Sequence, residues 1–180
     1  MAPLIASRES AREALVAKCG ENVNIRRLTR VEGDVVGSYL HGHRIGVLVV
    51  LKGGNAELAR EIAMHVAASN PQFLSSAEVS EEAVAKEKEI FLALNADKIA
   101  GKPENIVENM VKGRISKFLA EASLIEQPFV KNPDVKVGEL AKQAGAEIVS
   151  FVRYEVGEGI EKAEVDFAAE VAAQVAATQQ

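Results

Sequence analysis

Three histidines are the only imidazoles among 180 residues, and two of them stand together in His41-Gly42-His43. Such spacing invites a metal, but a strand sends alternate side chains to opposite faces, so the two rings diverge and too few ligands remain. Asp34, Ser38 and His41 have the residue types of a nucleophilic triad, yet one short strand cannot fold their side chains onto one another. Cys19, the single cysteine, follows Lys18 towards a helix C-terminus rather than at the N-terminus that favours a reactive thiolate. Alone, it also rules out an internal disulfide and a thiolate metal cluster. Lys52-Gly53-Gly54 precedes a helix, the right place for anion binding, but it has neither the G-x-x-x-x-G-K-[ST] nor the G-x-G-x-x-G spacing. It reads as a capped connector. His65 lies in an apolar helix and reads as a packing histidine, and most carboxylates lie among lysines as a solvated surface. These residues predict no enzyme and no cofactor; they point to a binding protein.

The elements that position these residues follow from periodicity and turn signals. Ser10 to Lys18 reads as a helix stopped by Gly20. Val35 to His41 and Ile45 to Leu51 are β-branched runs joined by Gly42-His43-Arg44, an antiparallel hairpin whose second run, apolar on both faces, belongs at the centre of a sheet. Asn55 caps a helix with the buried stripe Leu58, Ile62, Val66 and Ser69, ended at Asn70-Pro71. From Ser80 onward charged residues surround Val84, Ile90, Phe91 and Leu94, then Val107, Met110, Val111, Ile115 and Phe118 after Gly101-Lys102-Pro103. This predicts an antiparallel helical hairpin, a coiled coil with a narrow seam and outer pairs Glu82–Lys86 and Glu108–Lys112. Gln127 to Pro133 reads as extended, Val137 to Ala144 as a short helix, Glu147 to Val156 as a third strand, Gly157-Glu158-Gly159 as a hinge-like break and Lys162 to Ala176 as a final helix. The expected fold is α+β: a small antiparallel sheet with packed helices, an inserted helical hairpin and a C-terminal helix.

Composition bounds the partners. A net charge of −5, from 21 Lys+Arg against 26 Asp+Glu, disfavours a nucleic-acid binder. The N-terminus shows no charged region followed by a long apolar run, and no stretch is long and apolar enough to span a membrane, so the expected location is the cytoplasm.

Val16-Ala17-Lys18-Cys19-Gly20-Glu21-Asn22-Val23-Asn24-Ile25-Arg26-Arg27 and Glu32-Gly33-Asp34-Val35-Val36-Gly37-Ser38-Tyr39-Leu40-His41-Gly42-His43-Arg44-Ile45-Gly46-Val47 resemble the bacterial elongation factor Ts family. Ala63-Met64-His65-Val66-Ala67-Ala68, Gln127-Pro128-Phe129-Val130, Val156-Gly157-Glu158-Gly159-Ile160-Glu161 and Asp166-Phe167-Ala168-Ala169-Glu170-Val171 continue the resemblance in the family's order. The resemblance implies a guanine-nucleotide exchange factor that binds elongation factor Tu in its GDP-bound and nucleotide-free forms and promotes GDP release. It implies a division into residues 1–34, part of an N-terminal core subdomain; 35–79 and 123–157, a C-terminal core subdomain; 80–122, a coiled-coil hairpin; and 158–180, a C-terminal helical module. Cys19-Gly20, His41, Val130 and, in the last helix, Asp166 and Phe167 match positions that the resemblance assigns to partner contact. Cys19 departs from an aliphatic residue there, and Lys131 from an apolar one.

Two further family features have no counterpart in these 180 residues: a small N-terminal helical domain and a T-D-F-V segment whose Asp and Phe press on the partner near its Mg²⁺ site. Met1 to Ser7 also looks unlike the family. Exchange is therefore expected to be impaired. The alternative function is a docking or dimerisation module without exchange, and a homodimer is compatible with the sequence.

Overall fold

The structure, a computed structural model, describes residues 2–160. In chain order its elements are α1 (Ala2–Ala6), α2 (Glu9–Cys19), β1 (Val35–His41), β2 (Ile45–Lys52), α3 (Ala56–Ser69), α4 (Glu81–Leu94), α5 (Ala96–Ile99), α6 (Glu104–Ala122), β3 (Pro128–Phe129), β4 (Asn132–Lys136), α7 (Val137–Gln143) and β5 (Glu147–Glu155). This is an α+β fold on a small antiparallel sheet, as the periodicity implied. Among the described residues no helix is long and apolar enough to cross a membrane. The predicted helix from Lys162 to Ala176 lies outside the described residues.

The sheet has the order β1-β2-β5, with β2 paired antiparallel to both neighbours, Val35 opposite Leu51 and Ile45 opposite Glu155. The double-sided apolarity of β2 is satisfied from two directions. Val47, Val49 and Leu51 point at α3, whose Leu58, Ala59, Ile62, Ala63 and Val66 are buried against them. Val50 points the other way and is also buried, beneath the extended segment that leads into β1: a Cβ on Gly33 would stand 2.3 Å from Val50 Cγ1. The same segment crosses β5, where the Arg27 guanidinium sits 4.3 Å from the centre of the Tyr154 ring and Thr29 shares a hydrogen bond with the Tyr154 hydroxyl.

α3 begins where Asn55 Oδ1 accepts the Leu58 amide at 2.9 Å, a cap worth about 1 kcal/mol. Its stripe differs at one end from the expected one: Ser69 is exposed, because the helix ends there and Asn70 turns left-handed at φ 46°. Ala59, Ala63 and His65 complete the buried face.

α4 and α6 pack against each other, and Arg114 of α6 pairs with Glu87 of α4 at 2.6 Å. The expected seam is wrong at Ile90 and Leu94, which are 42% and 80% exposed. Ile90 is about 100° around the helix from half-buried Phe91, and Leu94 is the last residue of α4, where the chain breaks at Asn95 and α5 intervenes before Gly101. The expected outer pairs Glu82–Lys86 and Glu108–Lys112 are not among the ion pairs of the described residues; besides the interhelical Arg114–Glu87 pair, the i,i+4 pair that forms is Lys117–Glu121 of α6. Both ends of this arm meet at its root. The Gln72 and Phe73 amides donate to the Ala122 carbonyl at 2.9 and 3.1 Å, and the Leu124 amide to the Phe73 carbonyl at 2.9 Å.

The stretch expected to be merely extended after the arm forms a second small sheet, β3 against β4, with Pro128 opposite Lys136. Pro128 has no amide hydrogen to give, so pairing is short and register shifts next to it. The expected hinge at Gly157-Glu158-Gly159 is instead a turn strapped to distant residues. Arg26 donates to the Glu158 carbonyl at 2.7 Å, Arg27 to its carboxylate at 3.1 Å and Arg153 at 3.2 Å.

Candidate functional site

The first candidate contact, Cys19-Gly20, closes α2. Gly20 takes the left-handed conformation, φ 74°, and returns its amide to the Val16 carbonyl at 2.9 Å, the geometry for which the sequence supplies glycine. No residue of α2 is buried, and Cys19 is exposed. Arg12 ties the chain beyond the helix back to it, donating to the Val23 carbonyl at 3.1 Å while pairing with Glu9, whose carboxyl that bond holds below the usual range.

The second, His41, is the last residue of β1, exposed, with Nδ1 3.4 Å from the Tyr39 hydroxyl. The loop beyond it closes when the Arg44 amide donates to the His41 carbonyl at 3.3 Å. Arg44 then pairs with Glu155 at 2.8 Å. Hydrogen bonding from Arg153 foremost, and then from Arg44, holds the Glu155 carboxyl below its ordinary range. Residues Glu21–Arg27, which follow Gly20, and Gly42–Gly46, which follow His41, line one groove with Tyr154 to Gly157. The first two candidate positions therefore border a common surface. It has an apolar component, since Leu40 is 75% and Val156 71% exposed.

Val130 lies elsewhere, in the turn between β3 and β4 and against α3. Its side chain is 46% exposed, but its amide points inward and donates to Nδ1 of His65 at 3.1 Å. That bond fixes the tautomer: Nδ1 accepts, so Nε2 carries the hydrogen and donates to Gln127 Oε1 at 2.8 Å. Gln127 Nε2 in turn donates to the Glu121 carbonyl at 2.6 Å, at the foot of α6. Phe129 leans on the imidazole, with ring centres 5.9 Å apart. Beside the turn Lys131 pairs with Glu61 of α3 at 2.7 Å, which gives this departure from an apolar residue a partner within the chain.

His65 is fully buried, and burial pushes its imidazole below the ordinary value of 6.5, opposed by the bond to Gln127. The unfolded chain takes up a proton near pH 6.5 while the folded one resists it. Stability is then complete above that pH and falls as pH drops below it, by up to about 1.4 kcal/mol per pH unit until the folded imidazole also titrates. Urea midpoints at pH 7.5 and 5.5 should show this loss, and His65→Phe should flatten it; equal slopes in the two proteins would locate the acid sensitivity elsewhere.

The other sequence candidates come apart. Ser38 and His41 project from opposite faces of β1, so no triad assembles. Among the described residues no cluster of His, Cys, Asp and Glu could hold a metal. The glycines after Lys52 are packed rather than open to a phosphate: a Cβ on Gly53 would meet the Gly145 carbonyl oxygen at 2.6 Å, and one on Gly54 the Ala146 Cβ at 2.8 Å. Asp166 and Phe167 lie outside the described residues. Sequence reasoning missed the His65–Gln127–Val130 chain. Its signal was a lone histidine in an apolar helix together with a glutamine in an otherwise apolar Pro-Phe-Val segment.

Comparison with known proteins places these features in a family. A family profile described as "Elongation factor TS" matches residues 5–158. The chain is 90% identical over 179 residues to elongation factor Ts of Azotobacter vinelandii, covering 99% of this chain and 62% of the relative. It is 89% identical to that of Pseudomonas aeruginosa and 78% to that of Pseudomonas putida, over the same shares. The chain thus spans 62% of the length of the curated relatives it matches. The aligned span of 179 residues also takes in the opening residues, Met1 to Ser7, save one at most, which corrects the expectation that they are foreign to the family.

Proposed function

The chain belongs to the elongation factor Ts family, and from that premise we propose that it binds elongation factor Tu through Cys19-Gly20, His41, Val130, Asp166 and Phe167 and acts on the release of GDP. The observation that carries this reading is the family match over residues 5–158. The exposure of Cys19, His41 and Val130 supports it, since each is open to solvent in the unbound chain. Location in the cytoplasm follows from the same premise.

An exchange factor performs no bond chemistry. It binds the nucleotide-free partner more tightly than the nucleotide-bound one, and by reciprocity GDP weakens the factor by the ratio in which the factor weakens GDP. A hundredfold mutual weakening corresponds to about 2.7 kcal/mol of differential contact. The T-D-F-V segment, the resemblance's source of that differential, does not occur in these 180 residues. The reading is therefore of a chain that retains the contacts made equally to both forms and exchanges nucleotide slowly. The same absence favours the second reading, a docking module without exchange. Size-exclusion chromatography with nucleotide-free elongation factor Tu should give co-elution at micromolar concentrations; two independent peaks would contradict both.

The division at residues 80–122 is part of the proposal and has its own test. Both ends of the arm join through the bonds at Phe73, Ala122 and Leu124, and no residue of α4 is buried. Replacing residues 81–120 by a short Gly/Ser linker keeps the Glu121 carbonyl that Gln127 needs, and closes a small gap at modest entropic cost. The shortened protein should retain one cooperative unfolding transition; its loss would make the arm part of the core.

A further inference from the structure

We propose that His65 is the positioning residue of the β3–β4 turn: its neutral imidazole holds the Val130 amide, and a proton on Nδ1 releases that turn and weakens partner docking. The inference rests on the reading of Val130 as a partner contact, and it adds a residue that never reaches the surface.

A neutral imidazole offers one donor and one acceptor, and here both are used, Nε2 on Gln127 Oε1 and Nδ1 on the Val130 amide. The two bonds grip both ends of Gln127-Pro128-Phe129-Val130, while Phe129 packs on the ring between them. Gln127 is held in turn by the Glu121 carbonyl, which fixes its amide so that the oxygen faces the ring. The outward presentation of the Val130 side chain is thus set by an inward bond of its own amide. Protonation replaces the acceptor at Nδ1 with a second N–H, which then faces the Val130 N–H. Two donors cannot share that 3.1 Å gap, so the turn must move or the ring must turn away, losing Gln127 as well.

The surrounding charges neither supply nor block that proton directly. On the elements around the ring the titratable groups are Glu57, Arg60 and Glu61 of α3, Lys117 and Glu121 in the last turns of α6, Glu126 in the short turn before β3, Lys131 beside Val130, and Asp134 and Lys136 of β4. Glu61 is engaged with Lys131, and Glu121 with Lys117 at 3.7 Å. Both imidazole bonds go to neutral groups, so no charged partner of the ring favours or opposes its proton directly.

The test uses the 180-residue chain, ¹⁵N-labelled. With no partner present, the Val130 amide resonance should titrate with the midpoint of the His65 ring signals. Affinity for nucleotide-free elongation factor Tu should fall about tenfold on protonation, the loss of roughly one hydrogen bond. His65→Phe should speed Val130 amide exchange about tenfold and remove the pH dependence that differs between the two chains, so that titration of the partner itself cancels. A Val130 amide that stays still while the ring titrates overturns the positioning role whatever the partner does. An amide that moves with unchanged affinity overturns the docking half and with it the reading of Val130 as a contact. The wild-type titration needs no variant, so it decides the matter even if His65→Phe does not fold.

Discussion

Val130→Glu is expected to weaken binding to nucleotide-free elongation factor Tu by about a hundredfold while leaving the melting curve unchanged. The two halves of that result come from the two ends of one residue. The Val130 side chain is 46% exposed in the free chain, and the bond that holds the turn is made by its amide, which every residue except proline provides. A glutamate there leaves the His65 bond in place and places its charge in water, at little cost to folding. In a desolvated interface the same charge loses its hydration without a partner, a cost of about 3 kcal/mol and hence a factor near 10² in affinity. Unchanged affinity with an unchanged melting curve removes Val130 from the interface.

Gly37→Ala should destabilise the fold by about 3 kcal/mol, the upper range for overpacking, and lower Tm by roughly 10 °C in a domain of this size. Gly37 is buried in β1 where the strand meets α3, and an added Cβ would stand 2.4 Å from the carbonyl carbon of Ala59 and 2.5 Å from its Cβ. The first of these contacts is with helix backbone, which cannot rotate aside, so relief requires α3 to lift from the sheet over Val49 and Leu51. Ala59→Gly removes the second contact but not the first, and the double variant should therefore recover little. A midpoint equal to the parent's, or full recovery in the double variant, would show that α3 has slack against β1.

Strands and caps were legible in the sequence because each is set by neighbours. The run Ile45 to Leu51 could only be central, Asn55 could only start a helix, and Gly20 could only end one, since the signal sits within a few residues of its effect. Errors fall where the partner is distant in sequence or where two helical phases compete. Ile90 and Phe91 are adjacent apolar residues, and only packing on α6 decides which one turns inward. Glu158 binds Arg26 and Arg27 across more than 130 residues, so a turn that reads as a hinge is fastened. The candidate site divides the same way. The exposed candidate positions are read from a resemblance in their local motifs, whereas the bonds of His65 depend on Gln127 and Val130, 62 and 65 residues away.

The reading proposed for this chain is that it keeps the contacts common to both forms of its partner and lacks the differential ones. Its most direct test is the pair of dissociation constants for nucleotide-free and GDP-bound elongation factor Tu, measured under one set of conditions by titration calorimetry. Their ratio equals the factor by which the chain weakens GDP, so it reports exchange capacity without a rate measurement. Binding to both forms is expected, with a ratio below about 10, or less than about 1.4 kcal/mol of coupling. A ratio of a hundred or more would place the differential contacts within these 180 residues, and no binding to either form would contradict the docking surface itself.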